Sequence, residues 1–145
     1  MSIPPFNEHG DLPARVFTVT LQEALAQFGS SSPERRLIGT RLERIYEIAR
    51  KTQHRRRFIV FGSFVTAKVA PNDIDIFMIM DDDFDVTQVV PPASILFDHP
   101  SAQPHFGASV FWLRALAALG GEEAAVQDWM ITREGRRRGL LEISF

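Results

Sequence analysis

Phe58-Ile59-Val60-Phe61-Gly62-Ser63 and, nine residues on, Asp73-Ile74-Asp75-Ile76 form the strongest pattern in this chain. Four consecutive large apolar residues between three arginines and a glycine predict a short buried strand. Gly62 ends it where the backbone must turn, and lets a ligand come close to the main chain. Ser63 then opens a turn or short helix whose N–H groups favour phosphate oxygens. Thr66 and Lys68 lie close enough in sequence to reach the same ligand. Asp73 to Met80 predicts a second strand, which Asp81 to Asp83 close at a solvated hairpin tip. Asp73 and Asp75 are two apart, so both side chains leave one face, roughly 7 Å apart at about 3.3 Å rise per residue. Such a pair of hard oxygen donors suits Mg²⁺ or Mn²⁺. Ile74 and Ile76 alternate with them and point into the core.

Outward from this centre, Thr20-Leu21-Gln22-Glu23 is a capping box that starts a helix running to about Phe28 and ending at Gly29. Ser32-Pro33 starts a longer helix to about Thr52. Its apolar face comprises Leu37, Ile38, Leu42, Ile45, Ile48 and Ala49. Residues 1–18 read as an extended lead-in. Val86 to Phe97 is interrupted by Pro91-Pro92, and Pro100 and Pro104 predict loop. Ser109 to Leu113 predicts a third strand, Glu122 to Met130 a helix, and Gly139 to Phe145 a final strand. The expectation is one domain over residues 1–145, of α/β class: a short mixed sheet packed by helices.

Composition narrows the function. The chain has 145 residues, 45% of them hydrophobic, enough for a core without staples. A formal charge of −2 argues against coating nucleic acid by bulk charge. Local basic clusters at Arg55 to Arg57 and Arg136 to Arg138 leave a small phosphate-facing patch as an expectation, with Arg136 to Arg138 neutralising an RNA or a triphosphate. There is no cysteine, which excludes disulfides, thiolate zinc and cysteine nucleophiles, and fits a cytoplasmic setting. Met1 to Asp11 has no apolar run and does not read as a signal peptide. No apolar stretch is long enough for a bilayer, so no membrane association is expected.

An acid at i and i+2 is worth little alone: with 18 acids in 145 residues, about two such pairs arise by chance. The combination of strand, Gly62-Ser63, spacing, and acid-apolar-acid-apolar strand is far more specific. It resembles the nucleotidyltransferase superfamily, in a minimal form. Gly10-Asp11-Leu12-Pro13 with Thr20-Leu21, Gly62-Ser63-Phe64-Val65-Thr66 with Lys68 and Pro71, and Gly135 with Gly139 look like a poorly characterised bacterial branch of it. The resemblance implies a nucleoside triphosphate substrate, with phosphate held by Gly62, Ser63, Thr66 and Lys68. Asp73 and Asp75 would be the catalytic, metal-binding carboxylates, and the acceptor a hydroxyl on a protein, an RNA end or a small molecule. It also implies a third carboxylate on the next long strand, and the segment Gly107 to Trp112 has none. Asp98 and Glu142 are the alternatives left open. That departure motivates a second reading, a catalytically silent regulatory or antitoxin-type module with a toxin-like protein partner.

Overall fold

The computed structural model describes residues 3–144. Five strands and four helices follow in chain order: β1 (Val16–Val19), α1 (Leu21–Phe28), α2 (Pro33–Lys51), β2 (Arg55–Phe61), β3 (Ile74–Met80), α3 (His99–Phe106), β4 (Ala108–Arg114), α4 (Glu122–Asp128) and β5 (Leu140–Ile143). They build one mixed sheet in the order β1-β5-β2-β3-β4. The outer pairs, β1 with β5 and β3 with β4, are parallel; β2 is antiparallel to both β5 and β3. The α/β class and the short mixed sheet expected from the sequence are what the chain forms.

Both faces of β3 are covered, which is why it reads as an almost unbroken apolar run. Ile74, Ile76, Met78 and Met80 pack with Ile38, Leu42 and Ile45 of α2, with Phe28 of α1 and with Ala102 and Phe106 of α3. Phe77 and Ile79 face the other way, with Ile59 and Leu140, under Val126 and Met130 around α4. Strand alternation therefore sends Asp75 to the α4 side of the sheet.

The helix starts behave as their chemistry dictates. Thr20 Oγ1 accepts from Glu23 N at 3.1 Å while Glu23 Oε1 accepts from Thr20 N at 2.9 Å. Ser32 Oγ accepts from Arg35 N at 3.1 Å, with Pro33 in the first turn. Four expectations need correction. Leu37 does not belong to the buried face of α2; it is 55% exposed, since the helix packs through Ile38, Leu42 and Ile45 and Leu37 falls outside that arc. The lead-in is more than extended chain: from Val16 onward it pairs as edge strand β1, a segment too short for a periodicity to register. The segment with Pro100 and Pro104 is helix α3. Pro100 sits in the first turn, where no N–H is needed, and Pro104 forfeits one bond in a helix that its packing on β4 sustains. Asp81 to Asp83 begin a crossover from β3 to the parallel β4 rather than a hairpin tip. The final strand ends at Ile143, and Phe145 lies outside the described residues.

Candidate functional site: a cleft between Gly62 and Asp75

The link from β2 to β3 starts at Gly62, whose φ of 80° and ψ of −163° suit only glycine. Phe61 and Asp75 are register partners, so Gly62 lies directly beside the Asp75 side chain. A Cβ on Gly62 would fall 1.9 Å from Asp75 Oδ2. Main chain and carboxylate therefore meet here at the closest approach the backbone allows. Ser63 to Val65 form a single 3-10 turn, and the Ser63 carbonyl accepts from Thr66 N and from Thr66 Oγ1 (2.7 Å).

This loop is pinned from below. Arg35 of α2, only 5% exposed, donates through its two Nη atoms to the carbonyls of Phe28, Phe64, Thr66 and Lys68. From the other side Ala67 N donates to Gly10 O at 2.8 Å. Gly10 belongs to a turn in which Asn7 Oδ1 accepts from His9 N and Asp11 N. Asp11 points inward, 2% exposed, and takes Arg136 Nε at 3.0 Å and Arg138 Nη1 at 3.7 Å. Gly139 passes so close to this segment that a Cβ would lie 2.3 Å from Pro13 O. The scattered pieces Gly10-Asp11-Leu12-Pro13, Gly62 to Lys68 and Gly135 to Gly139 thus converge on one corner of the fold.

The cleft that results is about 340 Å³, walled by Phe61, Gly62, Asp75, Ser109, Phe111 and Trp129, with Arg133 and Arg138 also on its lining. Burial, and then the neighbouring charge of Asp73, push the Asp75 carboxyl up to about 6; Arg138, Arg133 and a hydrogen bond from Ser109 pull weakly the other way. Among the described residues neither Asp73 nor Asp75 forms an ion pair. Ser109 stands opposite Asp75 on β4. Gln103 of α3, with its amide turned to satisfy both ends, donates to Asp73 Oδ2 (3.3 Å) and to Ser109 Oγ (3.1 Å), linking the surroundings of the two acids. Two hard carboxylates without a cation, one of them resisting ionisation, fit a divalent metal.

The structure thus brings Gly62 and Asp75 together in the cleft, with Asp73 in electrostatic reach of Asp75; Ser63 follows Gly62 in the chain and, like Asp73, is not on the cleft lining. Thr66 spends its hydroxyl within the loop. Lys68 is exposed and lines a different depression, with Phe6, Ser32 and Arg35. Neither alternative third acid lines the cleft. Glu142 is held in two bonds by Arg57, at 2.6 and 2.9 Å, and Asp98 accepts from Ser101. The arginine triplets are largely engaged inside the fold: Arg55 over the Tyr46 ring, Arg56 with Glu122, Arg57 with Glu142, and Arg136 and Arg138 with Asp11. Trp112 packs on Phe84 and Phe97, as core, while Trp129 is half-buried on Phe61, Phe77 and Phe111.

Sequence reasoning missed Arg35, Asp11, Gln103 and Arg133. Only Asp11 left a signal, in the Gly10-Asp11-Leu12-Pro13 string. A second group of metal-compatible side chains, His54, Asp81 and Asp83, has ligand atoms within 4.8 Å of one another. It lies at the far end of β3, about 20 Å from Asp75 at strand rise. Arg56 already approaches Asp81 there, at 3.7 Å. The larger hollow beside it, about 470 Å³, is walled by Ile48, Phe84, Val89 and Val90, with His54, Asp83 and Asp85 also on its lining.

Fold and site together define a mixed α/β protein with a cleft that Asp75 lines at the start of a central strand, within electrostatic reach of Asp73. A family model matches residues 4–144, and the chain belongs to that family, DUF6932, a family of unknown function. No curated protein and no solved structure matches it. No helix among the described residues is long and apolar enough to cross a membrane.

Proposed function

We propose that this protein binds a nucleoside triphosphate with Mg²⁺ (or Mn²⁺) in the Gly62–Asp75 cleft, as a nucleotidyltransferase-like protein. The observation that carries this reading is the contact of Gly62 with the Asp75 carboxylate, with Asp73 beside it and no cation on either acid. Only a glycine allows a phosphate to lie against the main chain and against a metal on Asp75 at once. Bound there, the metal would supply charge neutralisation for the triphosphate. Transfer would join an acceptor hydroxyl oxygen to the α-phosphorus and break the bond to the β-bridging oxygen. Pyrophosphate would leave with that electron pair, and the hydroxyl proton would pass to solvent. The cytoplasmic setting expected from the sequence, where such nucleotides are abundant, belongs to the same proposal.

Ser109 supports a second reading. It stands beside Asp75 where the resemblance calls for a third carboxylate, and a serine hydroxyl neither holds a second metal strongly nor takes a proton at neutral pH. A member that binds nucleotide without transferring it, as a regulatory or antitoxin-type module for a toxin-like partner, accounts for that substitution. Calorimetry with MgATP tests binding. We expect saturable, Mg²⁺-dependent binding, lost when Asp73→Asn and Asp75→Asn are combined; equal binding by the double variant refutes the site. Incubation with a triphosphate labelled at the α-phosphate separates the two readings, since the silent module yields no labelled product from any hydroxyl acceptor.

A further inference from the structure

The cleft has walls of opposite sign that do not neutralise each other. Asp75 lines it on the β3 side, and Asp73, just before β3, is near enough to raise the Asp75 carboxyl. Arg133 and Arg138 line the same cleft from the segment between α4 and β5. The arginines are near enough to draw the Asp75 carboxyl downward, yet no ion pair joins the two sides among the described residues. The positive wall also holds a surplus. Arg133, Arg136 and Arg138 bring three guanidinium groups, against the carboxylates of buried Asp11, paired with Arg136 and Arg138, and of Glu134, which the same two arginines favour as a charge. Arg133 is exposed, and it forms no ion pair among the described residues.

A ligand that satisfies both walls must present a cation to the acids and an anion to the arginines. A free metal ion meets one wall only. A bare phosphate meets the other and is repelled by Asp73 and Asp75. A metal-complexed polyphosphate meets both, and 340 Å³ is within the ordinary range for a small-molecule site. We infer that Arg133 and Arg138 form a polyphosphate subsite facing the acid pair, with Asp11 as the positioning residue that fixes Arg138. The inference rests on reading the Gly62–Asp75 cleft as a metal–nucleotide site. It assigns the phosphate contacts to the segment before β5, in place of Thr66 and Lys68. Asp11 does this from beneath: a buried carboxylate bridging two arginines fixes their side chains before any ligand arrives.

The experiment is calorimetric titration of the full chain with inorganic tripolyphosphate plus Mg²⁺, and separately with MgATP. Arg133→Gln and Arg138→Gln should each weaken tripolyphosphate by about tenfold to a hundredfold, the range for a lost charge-assisted contact. Arg133 has no structural partner, so R133Q should unfold at the wild-type temperature and keeps the test valid if R138Q folds poorly. Asp11→Asn should reproduce the R138Q loss while leaving binding of Mg²⁺ alone unchanged, a split that general destabilisation would not give. If Mg-tripolyphosphate binds in an arginine-dependent way and MgATP does not bind, the subsite stands and the nucleotide reading falls. If MgATP binds wild type and the R133Q/R138Q double variant equally, the nucleotide reading stands and the subsite is overturned. Failure of both ligands on wild type overturns both.

Discussion

Replacing Asp75 by asparagine should make the protein more stable at alkaline pH, and the gain should disappear on acidification. Burial and the charge of Asp73 hold the Asp75 carboxyl at about 6, against an ordinary value of 3.8. A carboxyl raised on folding leaves stability untouched below its unfolded value, where both states are protonated. The penalty grows as pH rises from about 4 to 6, because the unfolded chain ionises first, and it is complete above 6. At 1.36 kcal/mol per pH unit the full difference is roughly 3 kcal/mol. Asp75 keeps some solvent contact, and screening reduces this to about 1–2 kcal/mol. Asparagine has the same shape and can keep the Ser109 hydrogen bond, so D75N removes the charge and little else. Urea unfolding at pH 8 should show D75N ahead by about 1–2 kcal/mol, and the advantage should halve near pH 5 and vanish toward pH 4. Mg²⁺ should close the gap at pH 8 by stabilising wild type alone. A D75N variant no more stable than wild type at pH 8, or one whose advantage ignores pH, would refute the account of the Asp75 environment.

Gly62→Ala should destabilise by about 2–4 kcal/mol, from a backbone region closed to L-residues and a Cβ driven into Asp75. In an Asp75→Gly background the carboxylate clash is gone, so the same substitution should cost only the backbone share, about 1–3 kcal/mol, and equal costs in the two backgrounds would show that Gly62 and Asp75 do not meet. Arg35→Met should lose about 3–5 kcal/mol and open the Gly62–Lys68 loop to proteolysis, because three buried carbonyls and a part-buried one lose their donor; a loss below about 1 kcal/mol would mean that the loop holds itself.

The sheet was legible because its central strands announce themselves. Phe58 to Phe61 and Ile74 to Met80 are buried on both faces, so neither needs a periodicity to be found. The capped helices were legible for a local reason: Thr20, Glu23, Ser32 and Pro33 act within one turn of themselves. What stayed hidden depends on contacts distant in sequence. Strand β1 is four residues at an edge and exists because β5 lies beside it. Helix α3 holds two prolines and is set by its seat on β4. At the site, Gly62, Asp73 and Asp75 are close in the chain and form a pattern. Arg35 acts on carbonyls about thirty residues away, and Asp11 on arginines 125 and more residues away. In the sequence each is one charged residue among many.

Several costly features meet at one corner of the molecule. Gly62 is held in a backbone region that other residues avoid. Asp75 is half-buried near a second acid and forms no ion pair. Arg35 is buried among carbonyl oxygens and over the Phe64 ring with no carboxylate to pair with, and Asp11 is buried beneath two arginines. Each is unfavourable relative to an apolar or solvated alternative, and each shapes the same cleft directly or through the loop beside it. A fold selected for stability alone would relieve at least the Asp73–Asp75 repulsion, for which a single asparagine suffices. Elsewhere among the described residues the comparable cost is Arg55, buried over the Tyr46 ring at the start of β2, and Gln53 is the one non-glycine with positive φ. Concentration of unfavourable terms around a concave, oppositely charged cavity is what a site built for a metal-bound anion requires. The ligand would relieve most of them together, giving Asp75 a counter-ion, Arg133 and Arg138 an anion, and Gly62 a reason to lack a side chain.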